Sequence, residues 1–278
     1  GNALCTNTTS DANTAVGYSA LKVNTAANNT ALGCGALVAN TTGAQNTALG
    51  RGALACNTTA SSNTAVGYNS SFCNTTGTNN TSVGCISLNK NTTGDNNTAI
   101  GRSSLACNTT ADNNTAVGYL SLQTNTTGTN NVAVGNKSML DNTTGEQNVG
   151  IGDTALENNT TGNLNTAVGA NSMFKNTTGT SGTAVGTGAL LCNTTGNNNT
   201  GLGYNSLAAN TTADDGTAVG FHALKLNTTG AMNVSVGNYS MDANTTGAQN
   251  TAIGVSALSA NTTGDHNTAV GITSLQTL

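Results

Sequence analysis

The side chains of this sequence that could do chemistry are few and stand apart. His222 and His266 are its two histidines, Asp214-Asp215 and Asp265-His266 its densest polar pairs, and Cys5, Cys34, Cys56, Cys73, Cys85, Cys107 and Cys192 its thiols. A metal centre needs several ligands converging on one point, and acid–base catalysis needs paired groups whose surroundings drive their pKa values apart. Solitary residues at turn positions supply neither. The sequence therefore points away from an enzyme and requires no cofactor or metal.

The one dense motif is Asn-Thr-Thr. Its asparagines are Asn7, Asn40, Asn57, Asn74, Asn91, Asn108, Asn125, Asn142, Asn159, Asn176, Asn193, Asn210, Asn227, Asn244 and Asn261. Each is formally an N-glycosylation acceptor on a glycosylating secretory route, and each could instead bond its amide to a stacked copy of itself in a side-chain ladder. The acceptor rule leaves the middle residue free, yet that residue is Thr, and the third is never Ser. This surplus favours the ladder. Glycans on adjacent coils would also crowd at about 4.8 Å, although the turn is read as exposed, which keeps glycans as the alternative partner.

A repeat must position these residues. The Gly that closes each Asn-Thr-Ala-Val-Gly unit recurs at Gly50, Gly67, Gly84 and every seventeenth residue to Gly271, and only the step from Gly17 to Gly33 is one residue short. A fixed short period with no insertion is the signature of a solenoid in which each repeat is one coil. The fold class expected is all-β, a parallel β-helix or β-roll of about sixteen 17-residue coils. Proline is absent from the sequence, as a coil-on-coil hydrogen-bonded stack requires.

Each coil can be numbered from its closing Gly as position 0. Position 16 is Val, Leu or Ile, as in Val66, Leu49 and Ile100, and position 4 is Leu or Met apart from Ser71; these two are expected to form the core. Positions 3 and 15 accept only Ala, Ser or Gly, as at Ala53 and Ala65, which implies a close neighbour and offers a face for lateral packing. Thr or Val at position 14 shares a strand face with position 16. Asn at position 13, exchanged for Gly at Gly182 and Gly216, suggests a left-handed backbone there. A second short strand is expected around the Ala/Ser-Leu pair. Charged side chains fall at the bends.

Composition narrows the partners. Lys and Arg number seven, scattered singly, and the net charge is −4, so nothing offers a nucleic acid the clustered cations it needs. No run of about 18 apolar residues is present to insert into a membrane. Residues 1–278 read as a single repeat domain without polar capping sequences, expected to be a processed subunit or a segment of something longer whose ends stack on further copies. Cys56 and Cys73 occupy position 6 of adjacent coils. Their Cα atoms then lie about 5 Å apart, within disulfide range, with a stacked free pair as the alternative.

The unit from Asn114 to Gly128, Asn-Thr-Ala-Val-Gly-Tyr-Leu-Ser-Leu-Gln-Thr-Asn-Thr-Thr-Gly, resembles repeats of tail-fibre-like and adhesin-like surface proteins of bacteria and large viruses. It is also similar to the shorter head repeat of YadA-type trimeric autotransporter adhesins. That resemblance implies a left-handed roll, association of three chains, and a place outside the cell or on a cell or virion surface. The coil here is longer than the autotransporter repeat. The function expected is an extracellular structural fibre, filament or adhesin shaft whose main partner is itself. Two rivals are an ice-binding solenoid, which would use regular Thr rows, and a receptor- or carbohydrate-binding head, which would use bends bearing Tyr18, Tyr68, Tyr119 and Tyr204.

Overall fold

The computed structural model of the protein describes residues 1–276. The chain divides into two compact units, Gly1–Lys137 and Ser138–Leu278. Among the described residues there is no helix, and each unit contains eight three-residue strands. In the first unit these run from β1 (Thr14–Val16) and β2 (Thr30–Leu32) to β8 (Val132–Val134); in the second, from β9 (Val149–Ile151) to β16 (Thr268–Val270). Within each unit every strand pairs in parallel with the strand one coil away, residue on identical residue position. Thr47, Ala48 and Leu49 face Thr64, Ala65 and Val66, and Thr183, Ala184 and Val185 face Thr200, Gly201 and Leu202. The fold is a β-solenoid.

The strand faces the opposite way from the sequence expectation. In strand after strand the middle Ala, Ser or Gly is buried while the flanking Thr and Val are half-buried or exposed. Ala99 is fully buried, whereas Ile100 beside it is 40% exposed. Position 16 is thus on the outer surface, and positions 3 and 15 are interior, not lateral contacts. The reason is width. A Cβ added to Gly150 at position 15 would lie 2.8 Å from Ser138 Oγ and 2.9 Å from Met139 Cγ, so the inward strand residue already touches positions 3 and 4 across the coil. Only a small side chain fits opposite Leu54, Leu105 or Met139, all fully buried.

The limb after the glycine is a run of turns rather than a second strand. Positions 2 and 4 are left-handed, with φ of 50° at both Asn69 and Leu54, and alternate N–H groups reach neighbouring coils. Asn69 N–H donates to Arg51 O at 3.0 Å, Leu54 N–H to Ser70 O at 3.1 Å, and Cys56 N–H to Phe72 O at 3.0 Å. A left-handed Leu costs about 1–2 kcal/mol. Full burial of its side chain contributes about 1.5–3 kcal/mol in return, which together with the coil-to-coil bond holds it there. The other left-handed residue is at position 12, as in Ser62 and Asn79, and not at position 13 as the Asn/Gly exchange suggested.

Ser71, the exception to the Leu column, is compensated by Ser82. The buried hydroxyls of Ser70 and Ser82 lie 2.6 Å apart, and those of Ser71 and Ser82 lie 2.8 Å apart. A polar pair therefore replaces an apolar one without an orphaned group. At position 0, Gly220 has φ +136°, and a Cβ there would lie 2.6 Å from Gly237 O; conformation and stacking both require glycine. The short second coil loses its residue in the turn, where Asn24 Nδ2 bonds Ala26 O at 2.7 Å. Its strand stays in register, Thr30 opposite Thr14.

Candidate functional site

The Asn-Thr-Thr turn is the most organised chemistry in either unit. Each position-7 amide donates one N–H to the amide oxygen of the coil before and the other to the position-10 carbonyl of its own turn. In the first unit Asn57 Nδ2 bonds Asn40 Oδ1 at 2.7 Å and Ala60 O at 3.0 Å. Asn74, Asn91, Asn108 and Asn125 continue the column at 2.8–3.0 Å, and Asn40 itself bonds Asn24. In the second unit the column runs from Asn142 through Asn159, Asn176, Asn193, Asn210, Asn227 and Asn244 to Asn261 at 2.7–3.2 Å. Asn7 turns its amide onto Ser10 O at 3.0 Å. From Asn40 to Asn261 these asparagines are buried. Both amide hydrogens of Asn57 are committed inside the coil, which is the ladder arrangement.

Three further columns run beside it. At position 13 the side chain both accepts and donates along the axis: Asn63 Oδ1 accepts Asn80 N–H at 2.9 Å, and Asn63 Nδ2 donates to Gly77 O of the same following coil at 2.9 Å. This is what selects Asn there, and Gly182 still donates its N–H to Asn165 Oδ1 at 2.9 Å. At position 8 the hydroxyl of Thr92 donates to Thr109 O at 3.0 Å. At position 11 Asp112 Oδ1 accepts Asp95 N–H at 2.7 Å, and Asp214 Oδ1 accepts Asn197 N–H at 2.7 Å. Asp214, Asp215 and Asp265 are therefore turn acceptors, Asp215 taking Asn198 Nδ2 at 3.0 Å and Asp265 taking Ala248 N–H at 2.7 Å.

The remaining candidates stay dispersed. All seven cysteines are free thiols, so the structure holds no Cys56–Cys73 disulfide. Burial, and secondarily the neighbouring Cys73 thiol, raise the Cys56 pKa, which favours the thiol over the thiolate. Among the described residues no group of three His, Cys, Asp or Glu could hold a metal ion, and no helix is long and apolar enough to cross a membrane. His222 belongs instead to a ring cluster. It stacks on Phe221 with centroids 4.0 Å apart, Tyr204 stacks on Phe221 at 5.4 Å, and Tyr239 meets Phe221 edge-on. Its Nε2 is enclosed without a hydrogen-bond partner. Burial first, then Lys225, lowers its pKa against the opposing pull of Asp242.

No family model and no curated protein matches the chain. The site is thus read from geometry: an edge of buried amide ladders, a strand face with one Thr-rich and one aliphatic column, and a bend side of varied, outward side chains. Sequence reasoning missed the second asparagine ladder and the outward aliphatic column. The size limit at position 15 was the available signal for the latter.

Proposed function

We propose that the chain is a structural solenoid, the shaft of an extracellular fibre or surface adhesin that associates with copies of itself. The observation that carries this reading is the direction of the polar chemistry. The repeated amides and hydroxyls of the turn bond along the coil axis, which is what resists separation of coils. Lateral contact falls to the strand face, where exposed Val83 and Ile100 and half-buried Val117 and Val134 form an outward apolar column; a contiguous apolar column of this kind is typical of an association surface. A surface location, and three chains per assembly as the YadA-type resemblance implies, fit that use. The test is electron microscopy with sedimentation of the parent and of Val117→Glu/Val134→Glu. The parent should form threads or defined oligomers, and the variant should dissociate. A parent that stays monomeric at high concentration counts against the reading.

A second reading has its own observation. Threonines at position 14 and aliphatics at position 16 share one outward face in strict register, the arrangement an ice lattice could match. Thermal hysteresis of the purified protein decides it, and its absence removes ice from consideration.

A further inference from the structure

Position 2 carries a side chain in most coils, and where glycine replaces it the bend side is hollow. Among the described residues one such hollow lies in each unit, and both are assembled from the same types of residue. In the first unit Gly35 and Gly52 floor a cavity of about 440 Å³ between the rings of Tyr68 and Phe72, with Asn69 and Arg51 beside them. In the second, Gly188 floors a cavity of about 450 Å³ between Tyr204 and Phe174, with Asn205 and Lys175. The phenylalanine comes from opposite sides, since Phe72 shares the coil of Tyr68 whereas Phe174 lies two coils before Tyr204. Arrival of the same residue set by different routes separates the pattern from mere sequence repetition.

We propose that each hollow binds one residue of an acidic polysaccharide, a pyranose bearing a carboxylate. The hollows are open and walled by partly exposed rings, Tyr204 being 48% exposed, which suits the apolar C–H face of a sugar ring. The amide oxygens of Asn69 and Asn205 are the nearest atoms to a Cβ built on Gly52 and Gly188, so each amide stands over its glycine floor. A carboxamide there offers an acceptor and two donors to sugar hydroxyls. Arg51 lies over the Tyr68 ring at 5.7 Å, and among the described residues neither it nor Lys175 has a carboxylate partner. A free cation at the rim of both hollows, in a chain of net charge −4, favours a carboxylated sugar over a neutral one. The second hollow continues into Phe221 and Tyr239 on the next two coils, so longer oligomers gain ring contacts there.

The experiment titrates the whole protein with tetragalacturonate, using cellotetraose as the neutral control, by calorimetry and tyrosine fluorescence. The expected result is two sites per chain, with the acidic oligomer at least about tenfold tighter. Gly52→Asn and Gly188→Asn fill the hollows with a residue that position 2 accepts at Asn69 and Asn205, and since the new Cβ meets the Asn69 or Asn205 amide oxygen, that amide must turn aside; an unchanged melting temperature checks that the fold is kept. Each should remove one site, and the double variant both. Arg51→Gln/Lys175→Gln should abolish the preference for the acidic oligomer while retaining weak neutral binding. Undiminished binding in the filled double variant overturns the assignment, as does no binding of either oligomer at millimolar concentration. Equal binding of both oligomers by the parent overturns the acidic class.

Discussion

The two edges of a coil obey opposite rules. On the asparagine edge the residue types at positions 7, 8, 9 and 13 scarcely vary, and the side chains at 7, 8 and 13 bond the coil before or after. On the bend edge, positions 1 to 6, the backbone makes equivalent coil-to-coil bonds, but positions 1 and 6 are half-buried or exposed and position 5 is buried only where it is Ala, and the three range from Cys and Arg to Tyr, Phe and Lys. Both edges hold the same spacing, but on the bend edge side-chain bonds between coils are occasional, as from Asn89 Nδ2 to Asn69 O at 2.9 Å and from Thr154 Oγ1 to Asn171 Oδ1 at 2.8 Å. Repetition is therefore tight where the side chain itself sets the register, and loose where the backbone suffices, which leaves the bend free to carry recognition.

The sharpest way to break this contrast is Asn91→Asp. The substitution removes donors to Asn74 Oδ1 and Gly94 O and adds a buried charge. A loss on the order of 4 kcal/mol or more is expected in thermal unfolding, and an unchanged melt would refute the ladder's role. Leu105→Ala opens the narrow core and should cost about 2–5 kcal/mol by denaturant titration. Ala116→Leu should cost about 1–3 kcal/mol by overpacking, at every protein concentration, because Ala116 is interior; destabilisation only in the associated form would return it to a lateral contact. Tyr119→Ala, on the bend, should change stability by less than about 0.5 kcal/mol.

The smallest effect concerns pH. With its pKa lowered by burial, His222 favours the neutral form in the folded state, so stability should fall as pH drops below about 6.5. Asp242, whose pKa is raised mainly by burial, acts in the opposite sense at more acidic pH, because the folded state takes up its proton more readily. Melting temperatures of the parent and His222→Asn between pH 7.5 and 5.0 separate the two, and the variant should show the shallower decline over that interval.

The period, the parallel stacking and the place of the asparagine column are all legible in the sequence, because identical residues one coil apart must share an environment. The facing of the strand is not. Alternation marks two faces but not which is inward, and the usual preference for burying Val over Ala gives way when Leu already fills a coil this narrow. Position 13 misled for a related reason: Gly can replace Asn either to allow a left-handed backbone or because a neighbour fills the side chain's space, and at Gly182 it is the second, a Cβ there lying 2.6 Å from Met173 Cε. The glycine hollows depend on residues from several coils and become visible only once those coils are stacked.

The short second coil marks where chain length is negotiable. One residue is missing between Asn24 and Asn29, yet Asn40 still bonds Asn24, and β1 and β2 stay aligned. Indels at that corner are absorbed locally because axial contacts, rather than the residue count, fix the strands. Foreign peptides grafted at the equivalent corner of other coils would then be displayed outward at regular intervals, with the scaffold beneath them undisturbed.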